Sequence, residues 1–391
     1  MNVGATGRSP LHVEANMARS AANFLDKKTP YENWIESTGA PIHRGYYIED
    51  CRTVELGYWP ERECDAAFIQ LVGQEGVTGA YVTEIPPGKT LPSFRMTVDE
   101  VVYVLQGRGV ASVWAGDRPK KIFEWQSHSM FLIPGNYHCQ LSNMHGEQSV
   151  KLLHCSYLPL AMSVLPDPEI FFNNPLVDFN LLYGQSAREI YSEAKLVTVD
   201  EPGSVRDGRN VWFGNFFADM RAWDRLDHFK RRGAGGHVVW VGFPSSPLSA
   251  HMSVFPARTY KKGHRHGPGF LIVIPAGEGY SIMWPEGGEK IIIPWHEASL
   301  FVPPNRWFHQ HFNIGGAPAR YLAIHPPRGL SGVSEKVEDR GRDQIEYPDE
   351  DPMIREKFES ELARKGLQSV MPEEAYRDRD YEWSYIEKRA S

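Results

Sequence analysis

The chain has 391 residues, a formal net charge of −7 and a sequence pI near 6.1. This length exceeds one ordinary domain, and the acidic balance without a basic footprint argues against a nucleic-acid partner. Four scattered cysteines predict a reduced protein without a disulfide framework, and no apolar run approaches the roughly 20 residues of a membrane span, so we expect a soluble, cytoplasmic protein without a membrane partner.

Residues 1–64 are predicted to form an N-terminal arm. A short helix is expected around residues 13–25, and aromatic residues follow at 31–34 and 44–47. We interpret the arm as a packing segment without chemistry.

Residues 65–160 are predicted to form a first β-barrel. Apolar, β-branched segments occupy residues 80–85, 100–105, 109–114 and 129–133. Proline and glycine residues separate them, as the turns of an antiparallel barrel require.

A second copy of this barrel is predicted at residues 237–327, because the chain resembles itself at a shift of 170 residues. The shift superimposes identical residues along most of the barrel: Gly107 and Gly277, Gly109 and Gly279, Trp114 and Trp284, Trp125 and Trp295, Pro134 and Pro304, Asn143 and Asn313. Such self-similarity indicates a duplicated structural unit.

Residues 161–236, between the barrels, carry weaker strand signals. Short helices are expected at 178–182 and 187–194, and residues 211–217 are aromatic. The segment is too long and too apolar for a flexible linker, so we expect it to pack between barrels or subunits. Its likeliest flexible joint is the glycine-rich stretch 231–236.

Residues 328–391 are predicted to form a charged, helical tail. Asp351 followed by Pro352 is typical of a helix start, and Gly366 is typical of a stop. Three apolar residues spaced four apart give the helix one apolar face, and Glu361 with Lys365 adds an i,i+4 ion pair. This helix is expected to cap a barrel or a partner subunit, and the remainder of the tail is expected to be partly disordered.

The second barrel contains two histidine clusters, at residues 263–266 and 304–313. Strand alternation places His264 and His266 on one face and Arg265 on the other. Two imidazoles on one face can ligate a metal ion, and either His309 or His311 can supply a third ligand from a later strand.

The first barrel lacks these ligands. The 170-residue shift places Phe94, Met96, Cys139 and Leu141 opposite the four histidines. Only the second barrel is therefore predicted to bind metal. The first barrel retains Glu100 and His138, and we interpret it as structural.

The stretch 263–313 resembles a cupin barrel, which implies an all-β fold of two tandem cupin (double-stranded β-helix, or jelly-roll) barrels. Pro304, His309 and Asn313 fit the second cupin motif, P-x-G-x2-H-x3-N, which implies that His309 is the ligand and His311 its neighbour. Phe270 stands where cupins usually carry glutamate. A three-histidine site without a carboxylate resembles that of gentisate 1,2-dioxygenase-type ring-cleaving enzymes, although these carry aspartate at the position of Gln310.

This resemblance implies a non-haem Fe(II) dioxygenase that uses O2 to cleave a C–C bond in a hydroxylated aromatic or enolisable acid. Such bicupins are expected to be homodimers or homotetramers. Imidazole ligands also suit Zn, Cu and Ni, so ligand identity alone does not select the metal, and Zn, Ni and Mn are the alternatives to Fe(II). A non-redox lyase, isomerase or decarboxylase therefore remains an alternative, as does a cupin that binds a sugar or small acid without turnover.

Further residues are predicted to surround the metal. His311 is a candidate proton shuttle, and Arg306 is a candidate for binding an anionic substrate. Arg265, whose counterpart in the metal-free barrel is Arg95, is expected to form a structural ion pair. The remaining candidates would line the substrate pocket: Trp307, Trp284, Phe270 and Gln310.

Overall fold

A computed structural model describes residues 28–174, 191–200, 202, 208–222, 227–244, 246–327, 330 and 340–383. Within these ranges the chain is dominated by β-strands. Five α-helices accompany them: α1 (Pro30–Ser37), α2 (Leu158–Val164), α3 (Glu169–Phe172), α4 (Arg340–Asp343) and α5 (Pro352–Arg364).

The first barrel is built from two facing sheets. One has the strand order β1-β4-β5-β12-β7-β10-β15 with β3 beside β4, and the other has the order β6-β11-β8-β9. The strands are β1 (Ile42–Gly45), β3 (Gly57–Trp59), β4 (Cys64–Leu71), β5 (Gly79–Ile85), β6 (Phe94–Arg95), β7 (Glu100–Gln106), β8 (Arg108–Trp114), β9 (Lys121–Gln126), β10 (Met130–Ile133), β11 (His138–Asn143), β12 (Val150–Ser156) and β15 (Phe216–Phe217).

The second barrel repeats this arrangement. Its sheets have the orders β13-β14-β17-β18-β25-β20-β23-β2, with β16 beside β17, and β22-β21-β24-β19-β26. The strands are β2 (Tyr47–Ile48), β13 (Lys195–Thr198), β14 (Asn210–Phe213), β16 (Asp227–His228), β17 (His237–Gly242), β18 (Ser249–Phe255), β19 (Gly263–His264), β20 (Leu271–Ala276), β21 (Gly279–Trp284), β22 (Ile291–Trp295), β23 (Leu300–Phe301), β24 (Phe308–Asn313), β25 (Ala319–His325) and β26 (Gln344–Ile345).

The predicted fold of two tandem cupin-type barrels is confirmed, and the repeated residues have matching roles. Asn143 and Asn313 are both buried, and each side-chain amide donates to three backbone carbonyls that close the barrel end. Gly109 and Gly279 face them across the sheet. A Cβ atom at Gly279 would lie 1.9 Å from a carbonyl oxygen, so only glycine fits there.

The arm and the inter-barrel segment join the two barrels. Strand β1 pairs with β4 in the first barrel, while β2, one residue later, pairs with β23 in the second. The inter-barrel segment likewise places β14 on the second barrel and β15 on the first. One apolar cluster is shared by both barrels, with Leu71 and Val101 on one side and Val241 and Leu322 on the other.

Helix α5 begins and ends as the sequence predicts. The Asp351 side chain accepts a hydrogen bond from the Met353 amide, and Gly366 adopts a φ of +68° just after the helix. The predicted ion pair is wrong, however. Glu361 pairs with Lys357, and Lys365 pairs with Glu278 of the second barrel.

Other details of the segments between and around the barrels differ from expectation or cannot be compared. The expected flexible joint at 231–236 contains part of a 3-10 turn (Lys230–Arg232), and Arg232 is buried and donates a 2.9 Å hydrogen bond to Gln344 of β26. The helices expected at 13–25 and 178–182, and most of the one expected at 187–194, lie outside the described residues.

All four cysteines are buried free thiols. None of the helices in the described ranges combines the length and apolar character needed to span a membrane.

Candidate metal centre

Two adjacent antiparallel strands bring the predicted ligands together. His264 on β19 lies directly opposite His309 on β24. His266 follows β19, and its carbonyl accepts a 2.8 Å hydrogen bond from the Arg306 amide, which fixes the turn there. All three side chains are buried, and one ring nitrogen from each lies within 4.8 Å of the other two.

Each imidazole is oriented by a backbone carbonyl behind it. The Nδ1–O distances are 3.2 Å from His264 to Lys262, 2.8 Å from His266 to Gly267 and 3.1 Å from His309 to Trp307. Because a carbonyl oxygen only accepts, Nδ1 carries the proton in each ring. The Nε2 lone pairs are therefore available for a metal ion, as in most histidine metal sites.

The three rings are uncharged at neutral pH. Burial lowers the pKa of His266 to about 4 and lowers the pKa of His264 and His309 well below its usual range. The guanidinium of Arg232 and the neighbouring imidazoles contribute in the same direction. Neutral imidazole is the form that binds metal, so no proton has to be displaced.

The residues present fit a divalent metal ion. The Nε2 atom of His309 is buried and has no hydrogen-bond partner, an arrangement that is costly unless a ligand completes it. Across the described ranges, no other group of histidine, cysteine, aspartate or glutamate side chains converges in this way.

His311 lies beside this triad but is held differently. Its ring centroid is 5.6 Å from that of His309, and its Nδ1 lies 2.8 Å from the Ser281 hydroxyl. That hydroxyl already accepts a hydrogen bond from the indole of Trp295, which leaves its own proton to donate to Nδ1. The arrangement favours the tautomer with a proton on Nε2, which can donate a hydrogen bond but offers no lone pair to a metal ion.

Phe270 occupies the position at which the cupin motif has a glutamate, and it packs on the triad. Its ring centroid is 4.0 Å from that of His266. In the first barrel the same position holds Glu100, which is buried and receives hydrogen bonds from Tyr81 and His154. Glu100 is therefore hydrogen-bonded inside the barrel and not exposed at its mouth. His138 does not join it and stacks on Trp114.

The two arginines that flank the ligands share one acidic partner. Asp343 binds Arg306 and lies 3.2 Å from Nε of Arg265, which also contacts Glu286 at 2.8 Å. Arg265 thus forms the ion pair that alternation predicts. The guanidinium of Arg306 is also held by Asp343, and its binding of substrate remains a prediction.

The structure corrects two of the predicted pocket residues. Trp284 stacks on Phe308 within an apolar cluster that includes helix α5, and Gln310 donates to Glu350 of the tail at 3.1 Å. Both residues alternate with inward-facing side chains and so face the tail, not the barrel interior. Trp307 packs against Tyr46 of the arm, with ring centroids 6.2 Å apart.

Three residues that the sequence analysis did not select also approach the site. Lys261 is fully buried, with its side-chain nitrogen 3.2 Å from the Tyr321 hydroxyl. Arg232 is buried, like its counterpart Arg62 in the first barrel, and acts electrostatically on His264 and His309. Two features of the 170-residue shift could have identified Lys261 and Arg232 from the sequence. An arginine is repeated at positions 62 and 232, and Lys261 stands opposite the apolar Leu91.

Comparison with known proteins gives a likeness of fold only. No family model matches the chain, and no curated protein matches it. The similar solved structures include Bacillus subtilis oxalate decarboxylase with its Mn(II) centres, at 13% identity and a TM-score of 0.47 over 74% of this chain and 79% of that chain. The formate complex of Lactobacillus farciminis oxalate decarboxylase has the same identity and TM-score over 74% of this chain and 88% of that chain. Such values say nothing about activity.

Proposed function

We propose that the chain is a mononuclear metal-dependent enzyme that cleaves a C–C bond in a small hydroxylated aromatic or enolisable acid. The observation that carries the proposal is the buried Nε2 of His309, which lacks a partner and faces the imidazoles of His264 and His266. A site built only to stabilise the fold would not leave this atom unsatisfied.

The metal ion and the residues around the triad would have different roles in the reaction. A divalent ion on three imidazoles keeps positions open for a chelating acid, and Fe(II) would add the electron transfer that couples such a substrate to dioxygen. Phe270 leaves the triad without a carboxylate at the position that Glu100 fills in the first barrel, and it shields His266 from water. With Nδ1 engaged by Ser281, His311 can offer its other ring N–H as a hydrogen-bond donor beside the triad.

An Fe(II) dioxygenase is our first candidate, because the ligand set lacks a carboxylate and resembles that of ring-cleaving dioxygenases. A non-redox decarboxylase or lyase using Mn, Zn or Ni is the second candidate. One observation favours it: decarboxylation replaces CO2 with a proton, and Lys261, His311 and Tyr321 form a group of proton-bearing side chains beside the triad.

Metal analysis combined with oxygen uptake and CO2 release tests the proposal. We would supply hydroxybenzoates, 2-oxo acids and dicarboxylic acids to protein reconstituted with Fe(II), Mn(II) or Zn(II), with a His264→Ala/His266→Ala variant as control. Oxygen consumption with iron supports the dioxygenase, whereas CO2 release without oxygen consumption supports the decarboxylase. Tight metal binding without turnover of any acid would favour a binding protein and overturn the proposal.

A further inference from the structure

The interior of the second barrel is polar at three positions where the first barrel has buried leucines. These pairs are Lys261 and Leu91, His311 and Leu141, and Tyr321 and Leu152. Matching strand partners establish the equivalence: Tyr321 lies opposite Ser253, and Leu152 lies opposite Thr83. The barrel fold is therefore satisfied by leucine at these sites, and the polar side chains serve another purpose.

Lys261 is the most costly of the three to bury. Its Nζ atom donates to Ser253 and lies 3.2 Å from the Tyr321 hydroxyl. The amine also lies near two aromatic rings, with Nζ 4.8 Å from the ring centroid of Phe229 and 5.2 Å from that of Phe255. Lys261 forms no ion pair with an acidic side chain in the described ranges, so the amine has hydrogen-bond partners but no counter-ion.

We propose that Lys261 and Tyr321 form the subsite that binds the carboxylate of the substrate acid. The inference rests on the proposed function, since it names the part of the acid that the protein holds while the metal holds another. A carboxylate placed here would receive a charge-assisted bond from the amine and a second from the phenol.

The surroundings favour an anion. The titratable and charged groups that act electrostatically with Lys261 are neutral or cationic: Arg232, His237, His251 and His311. Burial, with a further contribution from Arg232, lowers the pKa of Lys261 well below its usual range and so favours the uncharged amine in the absence of an anion. Binding of a carboxylate should therefore be accompanied by uptake of one proton.

The test uses metal-loaded full-length protein and two isosteric probes, acetate and acetamide. Isothermal titration calorimetry at pH 7.5 in phosphate and in Tris measures affinity and, from the difference between buffers, proton uptake. We expect acetate to bind at least tenfold more tightly than acetamide, with uptake of about one proton per acetate. Failure of acetate to bind, or binding without proton uptake, would overturn the subsite.

Two variants locate the binding. Lys261→Leu copies the residue of the first barrel, so we expect it to fold and to retain metal while losing at least tenfold in acetate affinity together with the proton uptake. Lys290→Leu is the matched control, because this lysine belongs to the same barrel but pairs with Asp351 at the surface. It should bind acetate as the unmodified protein does.

Acetate that binds only to the metal would bind equally to Lys261→Leu, and this result would overturn the inference. Should that variant fail to fold, Tyr321→Phe keeps the amine and the ring and should still weaken acetate binding severalfold. Turnover is measured separately. Acetate binding that depends on Lys261, without turnover of any acid, would refute the proposed function but not the subsite. Turnover without Lys261-dependent acetate binding would refute the subsite but not the proposed function.

Discussion

Replacement of His309 by alanine should remove the metal, whereas replacement of His311 by alanine should not. His309 directs an unpartnered Nε2 at the triad centre, whereas His311 engages its Nδ1 with Ser281 and favours a proton on Nε2. We therefore expect His309→Ala to lose the metal and His311→Ala to retain it with reduced turnover.

The magnitude follows from the number of ligands. Structural zinc sites with four protein ligands bind with roughly 10 to 16 kcal/mol, or about 3 kcal/mol per ligand. Removing one ligand of the triad should weaken binding by about two orders of magnitude. His311 does not contact the metal in this arrangement, so its loss should cost about tenfold, the low end of the range for residues beside the ligands.

Competition against a chromophoric chelator, followed by metal analysis of dialysed protein, measures both effects. Cys139→Ala and Leu141→Ala are matched controls, since these residues hold the same positions in the first barrel and should leave metal affinity unchanged. If His311→Ala lost the metal while His309→Ala kept it, the ligand assignment would be wrong. Equal losses in both variants would also refute the reasoning.

Four further outcomes are expected. Purified chain should contain about one metal ion, and His264→Ala/His266→Ala should contain almost none while remaining folded by circular dichroism. Glu100→Gln should destabilise the fold by about 3 kcal/mol in urea titrations, because it disrupts a buried charged network, and should leave metal content unchanged. Phe270→Glu should strengthen metal binding about tenfold or more in chelator competition by adding a fourth ligand beside His266. The free energy of unfolding of the metal-free protein should fall as pH decreases from 6.5 toward 4, because the unfolded chain binds more protons than the folded one. The expected slope is about 1.4 kcal/mol per pH unit for each buried histidine. Urea midpoints that stay constant over this pH range would contradict this expectation.

The duplication and strand alternation explain what could be predicted. The 170-residue shift predicts both barrels, because the two copies can be compared residue by residue. Alternation within a strand predicts that His264 shares a face with His266, because these residues are two positions apart. The environment of Lys261 could not be predicted, because its partners Ser253 and Tyr321 lie on other strands and meet it only when the barrel closes. Trp284 illustrates the opposite case: its outward direction follows from alternation, but the tail that covers it comes from a distant part of the chain.

The tail also determines when the metal centre is complete. Strand β26 pairs with β19, so the strand that carries His264 gains its outer neighbour from a later segment. Asp343, just before β26, holds both arginines that flank the ligands. During synthesis on the ribosome, the first barrel can close while the ligand strand of the second is still an open edge. We therefore expect metal to be captured after the tail has been made, and nascent chains that stop before residue 340 to bind it weakly.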